Sequence, residues 1–181
     1  MNLHEYQAKE LLKANGIIVP KSKISNSINE TFEIAQKFNS SLVIKAQIHA
    51  GGRGKVGGVK IINTPQEAKE FASFILGKNL ITEQNKPHGQ PVNQLLIEET
   101  IAIKKEMYFS ILIDRQSESI VTIASQSGGM DIEEIARKAP NSITKEYCKI
   151  NMKLTSEQIN NLAAGLGLEK ELLNKFEKFL T

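Results

Sequence analysis

Ala46-Gln47-Ile48-His49-Ala50-Gly51-Gly52-Arg53-Gly54-Lys55-Val56-Gly57-Gly58 holds five of the chain's 12 glycines, all of them within its last eight residues. A strand-like run, Leu42 to Ile48, leads in, and a second, Val59 to Ile62, leads out. Glycine lets the backbone take positive φ and approach a ligand with no Cβ in the way. Successive amides in such a loop form an anion-binding nest. Arg53 and Lys55, threaded between the glycines, add two cations. The stretch therefore predicts either a phosphate-covering loop at the tip of a hairpin or a glycine-rich turn without a ligand.

Two common phosphate motifs are excluded. The Walker loop needs Gly-Lys-Ser/Thr opening a helix, whereas Lys55 is followed by Val56 and a strand. The dinucleotide fingerprint also needs a helix after its glycines. A hairpin flap over phosphates needs none. Along the strand before the loop, Leu42, Ile44, Ala46 and Ile48 point one way. Lys45, Gln47 and His49 point the other way, together with Val43. That polar set predicts the wall of a cleft. Lys45 either holds a phosphate oxygen as a point charge or is a plain surface lysine. Glu98 and Glu106 are carboxylates that can each accept two hydroxyl hydrogen bonds, as a ribose diol requires, or they are solvated charges. His49 has no sequence neighbour that makes it a nucleophile or metal ligand, so a hydrogen-bonding role is expected. Asp131, Glu133 and Glu134 resemble metal ligands in composition but suit a helix N-terminus equally well, and the helix reading is preferred.

The bulk composition sets the class. The chain has 181 residues, 40% hydrophobic and 24% charged, enough apolar material for a core. Aromatics make up 6% and there is no Trp, which weakens any reading as a stacking platform for nucleic acid. The net charge is +3, a mild excess without a long basic run. A single cysteine, Cys148, excludes an internal disulfide and fits a plain strand residue in a reducing compartment. The N-terminus lacks a basic region followed by an apolar run, so no targeting segment is expected. No apolar stretch approaches a membrane-spanning length. Neither nucleic acid nor membrane is an expected partner, and a cytoplasmic location, or the mitochondrial matrix in a eukaryote, is.

In chain order, Asn2 to Ala14 predicts a helix capped by Asn2 with Glu5 reaching back, stopped at Asn15-Gly16. Ile17 to Pro20 predicts an edge segment or linker. Ser27 with Glu30, and Thr64 with Pro65 and Glu67, open two further helices. Residues 78–93 predict an exposed excursion between lobes. Strands follow at 94–100, 106–114 and 119–125, the last two joined by a polar hairpin. Asp131 caps a short helix over 132–138, Ser142 to Asn151 predicts another strand, and helices over 156–166 and 169–180 close the chain. This order is α+β and departs from strict β-α-β alternation. It predicts a first lobe over about 20–93 and a second over about 1–19 plus 94–181, with a nucleotide in the crevice between them.

Met1-Asn-Leu-His-Glu-Tyr-Gln-Ala-Lys9, Val43-Ile-Lys-Ala-Gln-Ile-His-Ala-Gly-Gly-Arg-Gly-Lys55 and Gly57-Gly-Val-Lys60 closely resemble the β-subunit family of succinate–CoA ligases. Gly89-Gln-Pro-Val-Asn93, Lys105-Glu106 and Gly128-Gly129 continue the match. The resemblance implies an α+β, ATP-grasp-like two-lobe nucleotide-binding domain, truncated within the second lobe, with the carboxy-terminal CoA-ligase domain absent. It implies ATP or ADP as ligand, with Lys45 on phosphate and Gly52, Arg53 and Gly54 in the covering flap. Glu98 and Ile101 would lie along the base, Ile101 through its backbone, and Glu106 would bind ribose. Mg2+ ligands are expected beyond residue 181, and CoA only in the full complex. An α subunit carrying the phosphohistidine is the implied partner. The chain alone is expected to bind ATP weakly and not to turn over. A malate–CoA ligase β subunit, or a non-catalytic interaction module that keeps the fold, are the alternatives. Ser127 stands where the family carries an acidic residue before Gly-Gly, and residues 150–155 lack the family's Asp-Pro turn.

Overall fold

The computed structural model describes residues 2–129 and 132–180, and the chain divides into two units between Ala102 and Ile103. The first unit contains helix α1 (Glu5–Ala14), strand β1 (Ser22–Ser25), helix α2 (Ile28–Gln36), strands β2 (Leu42–Ala46) and β3 (Val59–Ile62), and helix α3 (Pro65–Ile75). Two short strands, β4 (Asn79–Leu80) and β5 (Gln90–Pro91), and then β6 (Leu95–Glu99) complete it. Its main sheet is antiparallel, in the order β1-β6-β2-β3.

The period-two pattern of β2 builds this sheet as expected. Leu42, Ile44 and Ala46 are buried, and they share a face with Leu95 and Ile97 of β6. Helices α2 and α3 cover that face with Ala35, Ala68, Phe71, Ala72 and Ile75. Both helices start where their caps predict. Ser27 accepts from the Glu30 amide and Thr64 from the Glu67 amide, each at 3.2 Å. The opposite face carries Val43, Lys45, Leu96 and Glu98. Lys45 stands directly across from Leu96, and Glu98 is one alternate position along.

Three expectations are corrected here. Residues 78–93, expected as an exposed excursion between lobes, are instead a packed segment. The Val92 amide donates to Lys78 and Val92 is fully buried, so apolar side chains hidden among polar ones anchor the segment. Residues 94–99 and α1 belong to the first unit, not with the later strands. β6 lies between β1 and β2 because both of its faces are apolar enough to be covered, with Leu95, Leu96 and Ile97 all buried. Helix α1 starts at Glu5, after His4, whose amide donates to Gln7 at 2.9 Å. Glu5 does not reach back to a cap because its carboxylate is drawn to β2. Strand β1 has no counterpart in the sequence reading; Ser22-Lys23-Ile24-Ser25 offers one apolar side chain as signal.

The second unit comprises β7 (Tyr108–Asp114), β8 (Ser119–Ser125), α4 (Ile132–Lys138), β9 (Ile143–Lys149), α5 (Ser156–Leu166) and α6 (Lys170–Leu180). Its three strands form an antiparallel sheet in the order β7-β8-β9, as the hairpin at Arg115–Glu118 predicts. Asp131, expected to cap α4, lies outside the described residues. The core joins Ala124 to Ile159, Leu162, Ala163, Leu166 and Phe176. Phe109 packs edge-on against Phe176 at 5.8 Å. At the sheet edge, β7 leaves Ile111 and Ile113 exposed, so its alternation does not translate into burial. Cys148 is a β9 residue whose Sγ donates to the Met152 carbonyl.

Candidate functional site

Helix α1 has no buried residue, and polar contacts tie it to the Lys45 face of the sheet. Glu5 Oε1 accepts from Lys45 Nζ at 2.9 Å, and Glu5 Oε2 accepts from Arg53 Nη2 at 2.6 Å. Glu98 Oε1 accepts from the same Lys45 Nζ at 2.8 Å, while its Oε2 accepts from Lys9. Lys9 also lies 3.1 Å from Glu5, one helical turn away. Gln47 supports the junction. Its Oε1 accepts from the Tyr6 amide and its Nε2 donates to the Lys45 carbonyl. Three cations thus share two carboxylates, leaving one positive charge in a mostly buried setting.

The electrostatics follow from that count. Burial alone would raise the Glu5 pKa, but the charge and hydrogen bond of Lys45, joined by those of Arg53, hold it down at about 2. Burial pulls Lys45 down, and its hydrogen bond to Glu98 with the charge of Glu5 more than offsets that, leaving it above its ordinary value. Both groups stay charged across the neutral range. Burial, then the electrostatic effect of neighbouring His49 and the charge of Arg53, keep His4 below its ordinary value.

The glycine loop caps this cluster. Gly52 has φ +74°, and a right-handed turn of 3-10 type, Arg53–Val56, follows before Gly57 at φ +78°. A left-handed residue followed by right-handed ones is the geometry of an anion nest. The Lys55, Gly57 and Gly58 amides donate back to loop carbonyls. The amides of Gly52, Arg53 and Gly54 have no acceptor among the described residues. At the other end of the arginine, Nη1 donates to the Ala46 carbonyl at 2.7 Å, which folds the side chain under the loop. The loop is therefore more ordered than a plain hairpin flap.

Residues 78–93 buttress it from outside. Gln84 Oε1 accepts from the Gly51 amide at 2.6 Å, and Gln90 Oε1 accepts from the His49 amide at 2.7 Å. The His49 ring stacks on His4 with centroids 3.9 Å apart. A cavity lined by Asn2, Glu5, His49, Gly51, Arg53 and Gln84 opens beside the loop.

Of the residues singled out from sequence, Lys45, Arg53 and Glu98 are joined through shared carboxylates, and Gly52 and Gly54 flank Arg53 in the loop. The geometry gives Glu98 a place different from one along a nucleotide base: it is 4% exposed and both oxygens are taken by lysines. Ile101 is exposed in the segment after β6. Glu106 belongs to the second unit, two residues before β7. There its carbonyl accepts from the Gly128 amide, and a Cβ on Gly129 would fall on its carboxylate. Glu5, Lys9, Gln84 and Gln90 are not foreseen as site residues, whereas Gln47 stands in the polar set expected to wall a cleft. The spacing of Glu5 and Lys9 on one helix face was the single available signal. Among the described residues no three His, Cys, Asp or Glu side chains gather as a metal site, and no helix is long and apolar enough to cross a membrane.

The sequence profile of the ATP-grasp domain matches residues 2–181. The succinate–CoA ligase [ADP-forming] subunit beta of Acidobacterium capsulatum is 45% identical over 184 residues, covering 99% of this chain and 47% of the relative. That of Bacillus subtilis is 45% identical over 181 residues, with the same coverage. The chain thus spans about half the length of the curated relatives it matches. Among solved structures, the dinucleotide-forming acetyl-coenzyme A synthetase 1 of Ca. Korarchaeum cryptofilum superposes with a TM-score of 0.64 at 18% identity, covering 90% of this chain and 65% of that one. At that identity the likeness concerns the fold. By its match along the whole described length, the chain belongs to the ATP-grasp family.

Proposed function

We propose that this chain binds the phosphates of ATP and ADP through the Gly52–Gly54 amides, Lys45 and Arg53. We propose further that it does so as the nucleotide-binding portion of the β subunit of an ADP-forming succinate–CoA ligase. The observation that carries the nucleotide reading is the set of three unspent amides beside two cations. Unspent backbone amides and cations in one loop region favour a polyanion whose charge shifts during phosphoryl transfer. The ligase reading is supported by the 45% identity to β subunits over nearly the whole chain.

In that enzyme a phosphoryl group passes between ATP and a histidine of the α subunit, then to succinate, whose acyl phosphate is attacked by CoA. This chain's part is to hold the nucleotide and orient its terminal phosphates. Lys45 supplies a fixed cation, Arg53 a forked donor set, and the loop backbone the nest. Glu106 is suited to a ribose diol, and the backbone of the exposed residue Ile101 to a base edge. Glu98 serves by fixing Lys45. The described residues do not fit a magnesium site of three acidic or imidazole ligands, so no step is assigned to a metal here. The subunit name of the relatives supports an α-subunit partner, and their bacterial origin supports a cytoplasmic location.

Photolabelling with an azido-ATP probe tests the reading. Labelling that ADP suppresses and NAD does not is the expected result. Labelling indifferent to ADP overturns it.

A further inference from the structure

Helix α1 attaches to the sheet by a set of contacts that a merely packed helix does not need. His4 stacks on His49, the Tyr6 amide donates to Gln47, Lys9 pairs with Glu98, and Glu5 joins Lys45 to Arg53. Each tie ends on the glycine loop, on β2 or the three residues after it, or on the carboxylate that holds Lys45. We infer that α1 is part of the phosphate site and that Glu5 is its positioning residue: one carboxylate that sets the strand lysine and the loop arginine side by side, facing the same anion. The inference rests on the nucleotide reading above.

The donor arithmetic favours this over Glu5 as a competitor for the phosphate. A lysine has three N–H donors and an arginine five. Lys45 spends two, on Glu5 and Glu98, and keeps one. Arg53 spends one at each Nη, on Glu5 and Ala46, and keeps three. A phosphate can therefore add to the cluster without expelling Glu5. Glu5 is also well held. It occupies the first turn of α1, where the helix dipole favours a carboxylate, and its side chain is 21% exposed. Without it, two neighbouring cations repel, and both long side chains regain rotamers that binding must freeze again.

The test is calorimetric titration of ADP into wild type, Glu5→Gln and Glu5→Asp, with the Arg53 Nε–Hε resonance recorded before ADP is added. Glu5→Gln is expected to weaken ADP about tenfold and to shift or broaden the arginine resonance. Glu5→Asp, shorter but still charged, is expected to recover part of the affinity. A structural role in folding alone would leave the arginine resonance of the folded variant in place. Equal or tighter ADP binding by Glu5→Gln overturns the inference while leaving the nucleotide reading intact. Absence of ADP binding by the wild type overturns both. If Glu5→Gln does not fold, Glu5→Asp carries the test, and an affinity equal to wild type overturns the inference.

Discussion

Glu5 and Arg53 are 48 residues apart in the chain, and Glu5 Oε2 accepts from Arg53 Nη2 at 2.6 Å. This bond fastens the first turn of a surface helix to a glycine loop, and it has a pH signature. The folded Glu5 titrates at about 2 against an ordinary 4.5. A folded-state pKa below the unfolded one contributes stability that is fully present above the unfolded value and is lost as pH falls through the folded value. The window is therefore pH 4.5 down to about 2. Denaturant unfolding across that range should lose stability less steeply in Glu5→Gln than in wild type. Identical slopes would contradict the bridge.

Gly52 and Gly54 should respond differently to alanine. Gly52 sits at φ +74°, whereas Gly54 lies outside the left-handed region with open space around its Cβ position. Gly52→Ala should cost about 1–2 kcal/mol for the left-handed backbone. Gly54→Ala meets no such strain and should stabilise by about 0.4–1 kcal/mol, through the unfolded chain. If the bare backbone at residue 54 serves a ligand, the same variant should weaken ADP. Unfolding curves and titrations on both variants check this pair of opposite effects.

Gln84 and Gln90 hold the loop from the 78–93 segment. Removing either side chain should cost its hydrogen bond about 1 kcal/mol. Amide exchange at Gly51 in Gln84→Ala, and at His49 in Gln90→Ala, should then speed up roughly fivefold. Unchanged exchange at both amides would mean that the buttress is incidental.

In the second unit Gly129, at φ +69°, leaves room for the Glu106 carboxylate. Gly129→Ala should therefore act through Glu106 as well as through backbone strain. Gly129→Ala and Glu106→Ala should each reduce ADP affinity, and the double variant should lose little beyond the larger single effect. Losses that simply add would separate the turn from the carboxylate.

The parts of this protein readable in its sequence are those where a local rule and the tertiary context agree. The Thr64-Pro65-Glu67 helix start, the β2 alternation and the β7–β8 hairpin all formed as their chemistry requires. Lys45 and Arg53 stood out because cations beside clustered glycines are rare enough to notice. The rest depended on long-range contacts with no local trace. Residues 78–93 read as a linker because Val92 and Thr82 are buried among polar neighbours. Sequence order groups β6 with the strands after it, although its strand partners are 42–46 and 22–25. Glu5 read as a capping residue, and three-dimensional proximity to two cations gave it other work. Glu98 gave no sign that Lys9 would share it.

The loop and its arginine are the proposed phosphate ligands. Calorimetric titration of ADP into wild type and Arg53→Ala tests this role most directly, with urea unfolding confirming that both are folded. A lost hydrogen bond between charged groups is worth about 1.5–3 kcal/mol. Arg53→Ala is therefore expected to bind ADP more weakly by about tenfold or more. Superimposable isotherms for the two folded proteins would contradict it.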